Sequence, residues 1–587
     1  MRISERRRPA ARRTGTGGQV VPARRRLSWV DFAVAAAVLL LGYLALRVGK
    51  GTTVNFDPAD VPDVDTDPTK LPYYAARSVL RMFIALGASV VFTFGYAYAA
   101  ARSRRLERIL IPALDILQSV PVLGFLSVLV TFFVALFPGS LLGLECAVVF
   151  AIFTSQAWNM TFGFYATLTS LPRELDEVSR SFGFSRWMRF WRIEVPAGVI
   201  DLVWNGMMSF AGGWFMLVAS EAVSVSGHDY AVPGLGSYAG TAIGEGDLDR
   251  IGWCIVAMTL TIVTVNFLFW RPLTAWAEKF KNEQSEATDV QRSYVLDFLR
   301  RSQWPTLLGR ATAPAREGLG RAGRVVLGRD DKALAVDRAR RRTGDLLFAL
   351  VACAVLLWGL YDLLSYLRRE TGLGVFGEPL WLGLITFVRV VVLVAGATVV
   401  WVPVGVWIGS SPRLTKIAQP VVQVLASFPA NLLFPLAVWF FLRTGLDINI
   451  GCVLLMALGA QWYVLFNAIA GAMAIPTDLK EAMDDLGVRG LQRWKRLILP
   501  AVFPAYVTGG ITASGGAWNA SIVGEVVTFA GTTLTATGLG AYVFHATETG
   551  DFPKLIAGIA VMSLYVVGLN RLFWRPLYAL AERRYSM

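Results

Sequence analysis

Apolar residues come along this chain in blocks of about twenty, not in the short alternating or three-four spaced patterns of a water-soluble fold. A bilayer core takes about 20 apolar residues per helix. Six stretches of the first half meet that length: Trp29–Arg47, Ser78–Ala101, Ile109–Phe137, Leu142–Ala166, Val199–Val225 and Ile251–Trp270. Six more follow: Leu346–Leu367, Leu380–Ile408, Ile417–Leu442, Ile450–Ala470, Pro504–Phe529 and Pro553–Phe573. The pattern predicts an all-α membrane protein with twelve transmembrane helices. The basic start of the chain, up to Arg24-Arg25-Arg26, precedes an apolar run of span length without a convincing cleavage site. That predicts a retained helix with its tail in the cytoplasm, by the positive-inside rule. The next loop, with Asp57, Asp60, Asp63, Asp65 and Asp67, is expected outside, and the basic loop Arg102–Arg108 inside. Continued along the chain, the alternation puts both termini in the cytoplasm.

The two halves are copies. Asn266-Phe-Leu-Phe-Trp-Arg-Pro-Leu273 returns as Asn570-Arg-Leu-Phe-Trp-Arg-Pro-Leu577, an offset of 304 positions. The same offset pairs Trp158 with Trp462, Gly183 with Gly487, Pro196 with Pro500, Trp214 with Trp518, Glu221 with Glu525 and Gly236 with Gly540. Upstream the offset becomes 308, pairing Arg81 with Arg389 and Pro121 with Pro429. Six spans is an even number, so the copies are expected as parallel repeats, with sites at the repeat interface. The expected division is a basic cytoplasmic tail over 1–28, a first repeat over 29–273, a basic linker over 274–343, a second repeat over 344–577 and a cytoplasmic tail over 578–587.

Composition narrows the function. Charged residues make up 17% of the 587 and hydrophobic residues 55%, against roughly 25% charged in soluble domains. That excludes an ordinary cytosolic enzyme and a disordered chain. The net charge of +14 sits in clusters flanking the apolar runs, which points to lipid headgroups and not to nucleic acid. Cys146, Cys254, Cys353 and Cys452 form no CxxC pair and read as small buried hydrophobes. With two histidines in all, neither a metal site nor a catalytic group is expected.

Each copy has a polar segment between its fourth and fifth spans. Pro172 and Pro476 open a helix, acidic residues fill its first turns, and Gly183 and Gly487 end it. A basic amphipathic stretch follows (Arg186, Trp187, Arg189, Arg192; Arg493, Trp494, Lys495, Arg496), which Pro196 and Pro500 are expected to break at re-entry. Such a helix either docks a partner or anchors the loop in the interface.

The spacing Glu–x5–Gly, nine residues, then Ile/Leu–x–Val/Leu–Pro resembles the EAA loop of ABC importer permeases. Copy two keeps Glu481, Ala482, Gly487 and Pro500; copy one keeps Glu177, Gly183 and Pro196 but has Val178-Ser179 where the family has Ala-Ala or similar. Gly212-Gly-Trp to Glu221 with Gly234-Leu-Gly236, and Gly516-Ala-Trp to Glu525 with Gly538-Leu-Gly540, are similar to the nitrate/sulfonate/taurine/bicarbonate branch. The resemblance covers both six-span units. It implies two parallel permease repeats and a transport subunit, not an enzyme, in a bacterial inner membrane. Its partners would be two ABC ATPase subunits, identical or different, and an extracytoplasmic solute-binding protein. The solute would be small and anionic. No Walker A sequence occurs, so ATP and magnesium would reside on the partner chains. The docking residues it implies are Glu177, Gly183, Arg189, Pro196, Glu481, Ala482, Gly487, Arg493 and Pro500. The alternatives are an ABC importer for a different small solute, such as an organic cation or a vitamin precursor, and an ion-driven secondary transporter, which would need no docking helices.

Other residues stand out by depth. Glu221 and Glu525 lie near the outer ends of their spans, either hydrogen-bonded within the outer loop or gating a path. Trp214, Trp518 and Asn519 fall mid-span among glycines, as packing or as path lining. Gln118 and Ser427 precede Pro121 and Pro429, which kink a span or open it to a cavity. Arg81 and Arg389 either snorkel or draw an anion toward an entrance.

Overall fold

The computed structural model describes residues 64–119, 122–225, 228–280, 294–301 and 338–585, with single helical positions at 36, 42, 43, 49, 50 and 318. The first repeat holds α1 (Leu71–Arg102), α2 (Arg104–Ser119), α3 (Leu126–Leu136), α4 (Leu141–Ser170), α5 (Arg173–Ser181), α6 (Arg186–Glu221), α7 (Leu235–Glu245) and α8 (Leu248–Ala277). Next come α9 (Tyr294–Arg301) and α10 (Arg338–Glu370). The second repeat runs in the same order: α11 (Gly377–Gly409), α12 (Pro412–Ser427), α13 (Phe434–Thr444), α14 (Ile448–Met473), α15 (Thr477–Asp485), α16 (Gly490–Gly524), α17 (Leu539–Thr549) and α18 (Phe552–Ala581).

Among the described residues eight helices are long and apolar enough to cross a membrane: α1, α4, α6, α8, α11, α14, α16 and α18. Ten segments qualify if two bent pairs each count as a span. The expected spans Ile109–Phe137 and Ile417–Leu442 are these bent pairs, α2 with α3 and α12 with α13. The second is bent by 79°. Pro429 explains it. Phe428, the residue before it, is extended (φ −71°, ψ 127°), because the proline ring disfavours the helical region for its neighbour. Trp29–Arg47 lies outside the described residues save for isolated positions, and Leu346–Leu367 lies within α10.

Three further expectations are corrected. The fifth spans end at Glu221 and Gly524, not at Val225 and Phe529. The chain turns there into two antiparallel hairpins, β1 (Ala222–Val225) with β2 (His228–Ala231), and β3 (Val526–Phe529) with β4 (Thr532–Thr535). A short β-branched run continuing an apolar helix carries no period of its own to mark the change. Second, Pro196 and Pro500 do not break their helices. Phe190–Glu194 and Trp494–Ile498 widen into π turns just before each proline, and the helices run on. Asn266–Trp270 and Asn570–Trp574 do the same before Pro272 and Pro576. Proline has no N–H for the usual i−4 carbonyl, and a one-residue bulge re-spaces the ladder around it. Third, Cys353 is exposed on α10 and Cys146 is partly exposed; Cys254 and Cys452 are buried.

The repeats pack alike. α4 lies along α1 and α6, and α14 along α11 and α16. The turn Val122–Phe125 of the first repeat packs on α16 of the second, and Ala430–Leu433 of the second packs on α6 of the first. This reciprocal exchange joins the two repeats along one apolar core.

Candidate functional site

The polar loops fold as the glycine and proline spacing predicts. Pro172 and Pro476 cap α5 and α15 at the N-terminus. Gly183 (φ 62°) and Gly487 (φ 66°) supply the left-handed residue that closes them. Phe184 N–H donates to Ser179 O and Val488 N–H to Met483 O, each at 2.9 Å, which satisfies carbonyls of the last turn. Glu177, Glu481 and Ala482 are exposed. So is an apolar ridge: Leu175, Val178 and Phe182 (73%) in the first repeat, Leu479 and Leu486 (76%) in the second.

The basic stretches are pinned differently. Arg189 donates to the buried Glu194 (2.9 Å), which also takes Arg102 from the end of α1. That ties the first loop to the helix bundle. Arg493 instead pairs with Asp484 on α15 itself. Partial burial, with Arg493 nearby, holds the Lys480 ammonium below the ordinary lysine value.

Glu221 and Glu525 are fully buried. Glu221 Oε1 accepts from Ser78 Oγ (2.7 Å) and Arg81 Nη1 (2.5 Å), and its Oε2 accepts the Gly236 N–H (2.6 Å). Glu525 Oε1 accepts from Thr386 Oγ1 (2.8 Å) and Arg389 Nη1 (2.9 Å), and its Oε2 accepts the Ala541 N–H (3.1 Å). Each carboxylate thus satisfies backbone donors at the N-terminus of α7 or α17, where the helix dipole also favours negative charge. The Gly-Leu-Gly sequence makes the approach possible. A Cβ at Gly234 would lie 2.4 Å from the Glu221 carboxylate, and one at Gly538 2.2 Å from Glu525 Oε2.

Sequence reasoning missed the groups that complete these clusters. In the first repeat Arg81 also donates to Glu145 (2.5 and 2.7 Å), and Arg77 pairs with Glu145. In the second repeat the positions of Arg77 and Glu145 are taken by Ile385 and Asn449. Asn449 Oδ1 accepts from Arg389 Nη2 (2.9 Å) and from the Thr537 N–H (2.9 Å). One cation and one anion have been exchanged together for neutral residues, so each cluster stays neutral. Breaking a buried ion pair one partner at a time costs about 3–5 kcal/mol, whereas replacing both is often neutral. Arg77→Ile or Glu145→Asn alone is therefore expected to lower the melting temperature of the detergent-solubilised chain. The double change should restore most of it, with a coupling of about 2 kcal/mol. Additive losses would contradict the exchange.

A cavity of about 780 Å³ opens between the repeats. Gln118, Trp518 and Asn519 line it; Trp214, Glu221, Glu525 and Ser427 do not. Asn519 Oδ1 accepts the Val122 N–H of the other repeat (3.1 Å), and Gln118 donates to Asn159 (2.9 Å). Trp518 stacks on Tyr565, with ring centroids 6.0 Å apart, while Trp214 packs against Phe210. Ser427 is buried and donates to Gln423 O of its own helix (2.7 Å). Trp158 and Trp462, equivalent in the two repeats, also line the cavity. Arg81 (2% exposed) and Arg389 (7%) stay in the buried clusters.

The model of a family described as "Binding-protein-dependent transport system inner membrane component" matches residues 91–271 and again 401–585. The chain belongs to this family. It is a multi-pass member of the ABC-importer permease family, with the family unit present twice. Relatives of this permease include the nitrate import permease protein NrtB of Leptolyngbya laminosa, 26% identical over 31% of this chain and 62% of the relative. The taurine transport system permease protein TauC of Escherichia coli K12 is 26% identical over 32% of this chain and 66% of its own length. The bicarbonate transport system permease protein CmpB of Synechococcus elongatus is 24% identical over 35% and 70%. The permease thus spans under two thirds of the nitrate relative in that match.

Proposed function

We propose that this chain is the membrane subunit of an ATP-driven importer in a bacterial inner membrane. Two parallel six-span permease repeats form one path for a small anionic solute, with both termini in the cytoplasm. ATP and magnesium are handled by two separate ATPase subunits, identical or different, and an extracytoplasmic solute-binding protein delivers the solute. Closure of the ATPase pair pushes α5 and α15, and those helices move the spans so that the cavity opens alternately to each side.

The observation that carries this reading is the exposed apolar ridge on both loop helices. Large apolar side chains left exposed on a polar loop helix mark an interaction surface, and here the same register carries one in each repeat. The nitrate, taurine and bicarbonate names of the relatives support an anionic solute.

Co-expression with candidate ATPase subunits, affinity purification of this chain and ATP-dependent uptake into proteoliposomes test the reading. Glu481→Lys with Gly487→Pro is expected to leave the chain inserted while ATPase recovery and uptake are lost. Unchanged uptake in that variant would overturn the docking role.

A further inference from the structure

We propose that Arg575 is the cavity residue that contacts the anionic group of the solute, and that Asp115 is the internal carboxylate this group displaces. The proposal rests on the importer reading above.

Among the described residues lining the cavity, the charged side chains are Asp115 and Arg575, and they pair with each other. Asp115 lies on α2 of the first repeat and Arg575 on α18 of the second, so the pair bridges the two repeats. The Arg575 side chain is 56% exposed and that of Asp115 23%. A pair so open to water is held weakly, because solvent screens both charges. Arg81 and Arg389 offer the opposite case: they are buried and committed to carboxylates whose loss would strand a charge in the core.

The pair is also one-sided. The equivalents of Arg575 and Asp115 are Arg271 and Gln423. Arg271 lies over the Phe267 ring, 6.0 Å from its centroid, and does not line the cavity. The internal carboxylate therefore exists on one side alone. A guanidinium presents a planar fork of donors that fits a carboxylate, a sulfonate or a planar oxyanion in the same way. The surrounding walls, Trp158 and Trp462 with Gln118 and Asn519, are neutral. An anionic group entering the cavity finds its counter-charge at Arg575, already neutralised by a group of its own kind. Exchange of one for the other removes the ion pair at the cavity that bridges α2 and α18 and leaves their packing in place.

The test uses the full chain in lipid nanodiscs at constant ionic strength. Methanesulfonate is the probe, its uncharged analogue dimethyl sulfone the control, and tryptophan fluorescence the readout. Arg575→Gln is expected to weaken methanesulfonate binding by about tenfold or more, and Arg575→Lys, which keeps the charge but loses the fork, to fall between Arg575→Gln and the unaltered chain. Asp115→Asn should tighten it several-fold, since the competitor is gone. Dimethyl sulfone should be indifferent to all three. Equal affinity in Arg575→Gln, weaker binding in Asp115→Asn, or no methanesulfonate binding by the unaltered chain would overturn the proposal. ATPase co-purification with the same variants reads the importer assignment separately. If it persists while anion binding ignores Arg575, only the present inference fails.

Discussion

Glu525→Ala is expected to be the most damaging single change in the buried clusters, and more damaging than Glu221→Ala. Both remove a carboxylate that satisfies a helix N-terminus and neutralises an arginine. What remains differs. Without Glu221, Arg81 keeps two hydrogen bonds to Glu145 and one to Pro233 O (3.0 Å). Without Glu525, Arg389 keeps Asn449, a neutral acceptor. An uncompensated buried charge costs about 3–5 kcal/mol, which is a large share of a typical folding free energy of roughly 5–15 kcal/mol. Thermal melting of purified variants by size-exclusion fluorescence should show Glu221→Ala shifted and Glu525→Ala shifted further, or not recovered at all. Equal shifts would mean that Glu145 gives Arg81 no support.

The second large effect concerns docking. Leu479→Asp with Leu486→Asp should abolish recovery of ATPase subunits and ATP-dependent uptake while the chain melts as before. Both leucines are exposed, so their loss removes no core contact. Burying one leucine against a partner contributes about 1.5–3 kcal/mol. Losing two therefore weakens the complex by roughly 3–6 kcal/mol, about two to four powers of ten in affinity. Leu175→Asp with Phe182→Asp makes the same test on the first repeat. The first loop is tied to the bundle through Glu194 and Arg102, and the second through Asp484 to its own helix. That difference predicts unequal losses, measured by uptake at saturating ATP. A chain that keeps its ATPase subunits after all four changes would refute docking through these helices.

Much of the site was legible because its signals are local. A proline opening and a glycine closing a short helix are backbone requirements, and the geometry of α5 and α15 follows from them. The duplication was legible for the same reason: equal spacing needs no coordinates. Glu221 and Glu525 were noticed for their depth, but their partners were not. Arg81, Glu145 and the Gly-Leu-Gly turn lie far apart along the chain and meet only when α1, α4 and α6 pack. A signal existed, since Glu to the second glycine of the turn is the same distance in both copies, yet spacing alone does not say that the carboxylate reaches a helix terminus.

Periodicity failed where two structures share it. Val526-Val-Thr-Phe529 reads as the end of an apolar helix and folds as a strand, because β-branched apolar residues suit both. Pro196 and Pro500 read as breaks, and the helix absorbs them by adding a residue to one turn.

By itself the sequence determined the membrane character, the doubled unit, the loop helices and their family likeness, since each rests on composition or on neighbours along the chain. The tertiary structure alone decided which charges are buried with partners and which face the cavity. Arginines look alike in a sequence. Arg81 and Arg389 are enclosed by packed helices, and Arg575 stands at the seam between repeats, because helix packing and not residue type sets how far each charge lies from water.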